Sequence, residues 1–217
     1  VGRSLEGDSA RRGVAGLWSD GLRRGVFVPQ LHAREHVCWW EWLAALRGGS
    51  REALDTFDLG MCGLPLDASR EGATFFKPMY LDGARLAPYG VRLEAMIREG
   101  AEMFERRFGY RSVSTMAPCF AWTDEVERIW GDLGIRWFQG WIFQECDTAR
   151  GNRRRLRHLG QRAAAAGCRY LVRNVLFEQS GGVQFSRERA LRKIALAFAL
   201  RRPAVISTHR VNYVGAI

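Results

Sequence analysis

Short apolar runs alternate along this chain with longer stretches of helical periodicity, and that alternation restricts the fold more than any other feature. VFVPQL (26–31), SVSTMAP (112–118), IRWFQG (135–140), YLVRNVLF (170–177) and AVISTHRVNY (204–213) have the length and the β-branched or aromatic content of strands. Between them, CWWEWLAALRGG (38–49) sets Trp39, Trp42, Leu43 and Leu46 on one helical face. Ser50 is placed to cap a short helix running to Phe57. Leu93, Met96, Ile97, Ala101, Phe104 and Phe108 form another stripe that Gly109 stops. Thr123 is an N-cap with Asp124 and Glu125 in the first turn behind it. In the last helix Leu191, Ile194, Ala195 and Phe198 are expected to face inward.

Strands separated by helices predict an α/β fold with parallel strands, closed into a (β/α) barrel or left as an open sheet. In both, chemistry collects where the strands end at their C-termini. The residues at those ends are polar: Gln30 and His32, Cys119, Gln139, Arg173, Asn174 and Glu178, then His209, Arg210 and Asn212. No repeat or linker divides the 217 residues, so one domain is expected. The Gly- and Pro-punctuated region 58–88 reads as a long connection.

His32 and His36, in the HAREH junction after the first strand, are the leading metal candidates. If that junction already turns helically the two imidazoles share a face, and both can reach one ion at roughly 2.0–2.1 Å. Zinc is the default divalent ion for such a pair when no redox ligand set is visible. The alternative is one packed and one solvated histidine. Other residues have plain structural readings too: Cys119 as a small buried residue, His158 as a solvated loop residue, Trp122 and Trp141 as core, and Arg173 paired with Glu178.

No window of 18 apolar residues exists, so no membrane span is expected. The N-terminus lacks the apolar core of a secretory signal, and five cysteines without a C-x-x-C pair argue against a disulfide scaffold. A reducing compartment, the cytoplasm, is expected. The net charge of +10 invites a nucleic-acid reading, but all but two of the 33 basic residues are arginine, a skew that GC-rich coding produces unaided. The basic stretch RGNRRRLRHLGQR (150–162) reads as a surface loop able to meet an anionic glycan. Nucleic acid is not expected as a partner, because no motif that reads DNA or RNA accompanies it.

FVPQLHAREHVCWWEWLAALRGG, MAPCFAWTDEVE, GIRWFQG, YLVRNVLFEQS and PAVISTHRVNY, in that order, resemble the bacterial polysaccharide-deacetylase-like proteins of the NodB-homology group. The resemblance covers most of the chain. It implies a distorted (β/α) barrel, a divalent ion held by an Asp and two His, and removal of an acetyl group from a sugar of a cell-surface or capsular polysaccharide precursor. Carried over, His32 and His36 are metal ligands and His209 is the catalytic acid, with Arg210 beside it. Gln30, Trp122, Arg173, Asn174, Glu178 and Asn212 form the substrate rim. MAPCF stands where the family has an arginine-containing motif, and the paired aspartates that should precede HAREH are absent. That implies a domain incomplete at its ends, with the third ligand upstream of residue 1.

Two readings compete. HAREH also fits zinc peptidases, with Glu35 either a ligand beside His32 and His209 or the base between His32 and His36. The carboxypeptidase version also asks for an Asn-Arg pair, for which the chain offers only Asn152-Arg153, and the inverted-zincin version for a downstream Glu, with Glu102 and Glu105 too close. The other alternative is a glycan-binding module that has lost its metal chemistry. The orientation of Glu35 separates deacetylase from peptidase: it should turn away from the ion in the first and face it in the second.

Overall fold

The computed structural model describes residues 12–76, 78–81, 86–148, 151–178 and 186–209. Its helices are α1 (Val14–Arg23), α2 (Trp39–Arg47), α3 (Arg51–Asp58), α4 (Leu93–Phe108), α5 (Asp124–Asp132) and α6 (Arg187–Ala199). Its strands are β1 (Ser114–Met116), β2 (Trp137–Gly140), β3 (Phe143–Thr148), β4 (Gly151–Leu156), β5 (Arg169–Val172), β6 (Val175–Leu176) and β7 (Ile206–Ser207). The mixed α/β class with parallel strands is as expected, and among the described residues the strands do not close into a barrel.

Parallel pairing runs from Leu31, bridged to Thr115, through β1, β2 and β5. The fourth strand then changes neighbour. Arg173 still donates its backbone N–H to Gly140, but Asn174 and Val175 donate theirs to Val205, and β6 pairs in parallel with β7. The single run expected over 170–177 is therefore two short strands with a handover at 173–174. Asn174 enforces it: its side chain donates to Pro203 O (3.0 Å) and accepts from Val205 N (2.8 Å), tying the chain to the incoming last strand.

One face of the sheet carries the core. Phe138 and Tyr170 meet edge to face at 6.1 Å between centroids, and Trp130, Trp122, Ile129 and Val126 of the α5 region join them with Leu93, Met96, Ile97 and Phe104 of α4. The cap at Thr123 accepts from Val126 N, and Gly109 ends α4 at φ 76°, a left-handed turn that costs glycine little. A buried carboxylate sits inside this core. Glu127 accepts from Trp122 Nε1 (2.9 Å), the Tyr170 hydroxyl (2.5 Å) and Ala164 N (3.2 Å), with the Arg157 guanidinium 4.0 Å away, so its charge is compensated where it is buried.

Several elements differ from the sequence reading. Only Leu31 of 26–31 joins the sheet, while Val26, Phe27 and Val28 stay exposed. Pro29 lacks the N–H that a longer ladder would need. Residues 14–23, for which no element was expected, form α1. The arginine-rich stretch is only partly a loop: Gly151–Leu156 pairs antiparallel with Phe143–Thr148, where Gln144 and Cys146 alternate inward, and 157–162 follows outside the named strands. Three of its charges are matched as well, Arg154 by Glu145, Arg155 by Asp124 and Arg157 by Glu127. Finally, α6 is turned over. Ala190 and Ala197 are its buried positions, whereas Leu191 (56%) and Phe198 (63%) of the expected inward stripe face solvent.

Candidate functional site

A cleft of about 670 Å³ opens at the C-terminal ends of the parallel strands, a volume suited to a sugar-sized ligand. His32 and His36 line one side; Arg173, Glu178, Ser207 and His209 line another; Met116, Cys119, Phe120 and Trp141 lie between. His32 follows the Leu31 bridge at one edge of the three-stranded sheet and His209 follows β7 of the two-stranded sheet, and both open on the one cleft.

His32 and His36 face each other, Nε2 to Nε2 at 2.6 Å, with ring planes at 85°. The cause is not a helix. Residues 32–38 are irregular, and Ala33 at φ 48° turns the chain so that position 36 folds back over position 32. The turn is seated on α4, where Gly100 lets the Arg34 backbone approach; a Cβ on Gly100 would lie 3.2 Å from the Arg34 Cβ. His32 Nδ1 is 2.9 Å from Met116 O. A carbonyl only accepts, so Nδ1 carries the proton and Nε2 presents its lone pair toward His36, whose Nε2–H donates to it. Burial, with the nearby His36 and Arg173, depresses the His32 pKa below the usual imidazole value against the opposing pull of Met116 O. The neutral, ligand-competent form is the one favoured.

With the His36 proton moved to Nδ1, both Nε2 lone pairs would be free for a borderline divalent ion, and the gap would have to widen by only about 1 Å to reach the roughly 3–4 Å between ligand nitrogens around zinc. Among the described residues no group of three His, Cys, Asp or Glu is placed to hold a metal.

On the facing edge His209 Nδ1 lies 2.6 Å from Glu178 Oε1. The carboxylate accepts from Nδ1–H, which leaves Nε2 as the nitrogen able to exchange a proton. Arg173 is not paired with Glu178 as expected: its Nη1 donates to Ser207 Oγ (3.2 Å) and its guanidinium lies over the Phe120 ring (5.6 Å).

Several expected site residues lie elsewhere. Glu35 turns from the cleft and bonds the Arg34 side chain, which also holds Glu99. Burial raises its pKa, partly offset by Arg34; the hydroxyl pKa of Tyr80 is raised by its own burial first and by the Glu35 charge second. Trp122 is fully buried and bonded to Glu127; the aromatic wall is Trp141 and Phe120 instead. Gln30 accepts from Ser112 and Ser114 beside the first strand, and Asn174 is spent on the β7 segment, so neither lines the cleft. Arg210 and Asn212 lie outside the described residues.

Cys119, expected to be buried, is exposed in the cleft wall. It and Phe120 both hold left-handed backbone, φ 57° and 54°. Non-glycine residues in that region cost about 1–3 kcal/mol each, a strain that concentrates at functional sites. Burial nevertheless pushes the Cys119 thiol pKa up, which argues against an activated thiolate. Trp141 had a usable signal, its place directly after the Gly140 strand end; the Cys119–Phe120 strain had none in composition or spacing.

No protein-family model matches the chain, and no curated protein matches it either.

Proposed function

We propose that this chain is a metal-dependent carbohydrate deacetylase-like hydrolase, built as an incomplete (β/α) barrel and acting on a cell-surface or capsular polysaccharide precursor. The observation that carries the reading is the facing Nε2 atoms of His32 and His36 in the same cleft as the His209–Glu178 pair. His32 and His36 would hold the ion, zinc by their donor chemistry. When bound, zinc supplies Lewis-acid polarisation of an acyl carbonyl and acidifies water.

The chain's own residues do the rest. Met116 O keeps the His32 proton on Nδ1 and so keeps the ligand nitrogen free. His209 gives a proton from Nε2 to the departing amine or alcohol while Glu178 holds the ring and steadies its cationic form. Trp141 and Phe120 offer apolar faces against which a sugar ring can stack. Its partner is thus a carbohydrate, not nucleic acid. None of the described helices is long and apolar enough to cross a membrane. All five cysteines are free, which supports a reducing compartment such as the cytoplasm.

The peptidase alternative loses its base or ligand, since Glu35 is bound to Arg34 outside the cleft. The glycan-binding alternative keeps one observation in its favour, the lack of a third ligand among the described residues. Zinc content and acetate release from acetylated oligosaccharides test the proposal. Wild type should take up one zinc and release acetate, and His32→Ala should lose both. Undiminished glycan binding by His209→Gln, together with no acetate release from wild type under any metal, would favour the binding module.

A further inference from the structure

The other half-buried arginines among the described residues have acidic partners: Arg34 with Glu99, Arg98 with Glu94, Arg155 with Asp124, Arg157 with Glu127. Arg173 is the contrast. It projects from the β5–β6 handover into the cleft wall, half-buried, and among the described residues no carboxylate lies within ion-pair distance of it. Its side-chain partner there is Ser207 Oγ at 3.2 Å, a neutral acceptor that uses one of five N–H donors. Residues 179–185 and 210–217, which continue the chain from Glu178 and His209, contain no Asp or Glu.

A guanidinium taken out of water needs an anion, because a buried charge is tolerated only when paired. Burial lowers the Arg173 pKa with no opposing contribution. The Phe120 face, 5.6 Å from the guanidinium carbon, supplies partial compensation and fixes the plane of the fork. Arg173 and the imidazole pair line the same cleft. An anionic group bound there would complete the charge balance of the wall and hold its carrier beside His32.

We infer that Arg173 is the anion-recognition group of the cleft, and that the glycan the cleft accepts carries a carboxylate or a phosphate. Resting on the carbohydrate reading above, this narrows the substrate class to uronic-acid or phosphorylated sugars. A planar fork favours bidentate capture of either group, and the chain's net charge of +10 draws such glycans toward it.

The test is direct binding, independent of turnover. Methyl glucoside, methyl glucuronide and glucose 6-phosphate are titrated into the wild-type chain and into Arg173→Gln and Arg173→Lys, with circular dichroism confirming that each variant is folded. At least one anionic sugar should bind wild type about tenfold or more tightly than the glucoside, the size of one charge-assisted contact. Arg173→Gln should erase that preference while leaving the glucoside unchanged, and Arg173→Lys should restore part of it. Which anionic sugar binds better assigns carboxylate or phosphate. Equal binding of all three by wild type, no binding of any, or a preference that survives Arg173→Gln overturns the inference. Acetate release is scored separately. An anion preference without deacetylation would sink the deacetylase reading and leave Arg173's role standing, whereas deacetylation indifferent to charge would do the reverse.

Discussion

The two sides of the cleft carry similar chemistry on very different foundations. His32 sits over the best-packed part of the molecule: its ring is held by Met116 O at the end of β1, and its loop rests on α4 at Gly100. His209 follows a two-residue strand whose Ile206 is 49% exposed, and its ring is 77% exposed against 18% for the Glu178 that orients it. One side offers a fixed nitrogen of set protonation, as a metal ligand requires; the other offers a solvated, orientable ring, as a proton carrier requires. Difference in rigidity thus parallels the difference in proposed role.

The largest test of that contrast is catalytic. His32→Ala should reduce both zinc uptake and acetate release to background. His209→Gln should lower turnover by about 10²–10⁴-fold while zinc uptake is unchanged, as loss of a general acid does. Parallel loss of zinc in the two variants, measured by elemental analysis, would erase the distinction. Next in size is stability. Trp122→Ala, under the first side, should cost about 3–5 kcal/mol in urea unfolding, and Ile206→Ala, under the second, within roughly 0.5 kcal/mol. Comparable costs would mean that β7 is better anchored than its contacts suggest.

A smaller effect separates the two sides by pH. The folded His32 pKa lies below 6.5, so the unfolded chain takes up this proton first as pH falls. The stability involved is fully present above pH 6.5 and is lost as pH drops through the folded pKa. Unfolding at pH 8, 6 and 5 should therefore show a steeper acid loss in wild type than in His32→Gln; identical slopes would contradict the burial of this ring. Smallest of all is Gly100→Ala. A gain in helix propensity of about 1 kcal/mol opposes crowding against Arg34, so stability should barely move while zinc affinity falls several-fold as the loop shifts. A change in melting temperature without a change in zinc affinity would show that α4 does not seat the loop.

Features set by local chemistry were legible in the sequence: the Thr123 cap, the Gly109 stop, the α4 stripe, and the parallel class implied by alternating elements. The convergence of His32 and His36 was expected, but from a helical turn, whereas a left-handed Ala33 produces it. Other readings failed because tertiary context decided them. The α6 stripe pointed inward by periodicity, yet the small Ala190 and Ala197 are the positions that allow the helix to lie close to its support. Arginines in β4 looked like loop residues until Glu145 and Asp124 came across from other segments to match them. Asn174 and Trp122, plausible at a rim, were claimed by a backbone and by a buried carboxylate that spacing could not reveal.

The His32–His36 pair also has a kinetic meaning. Both rings come from one five-residue segment, whose ends can meet in about 10–100 ns or less, the closure time of a ten-residue loop. His209 reaches them across a sequence separation that spans every parallel strand, the slowest kind of contact a chain makes. If the pair holds an ion as proposed, that ion would meet its two ligands during refolding long before the cleft exists, so zinc added to the unfolded chain would act at the earliest stage of assembly. His209, by contrast, is among the last parts to arrive.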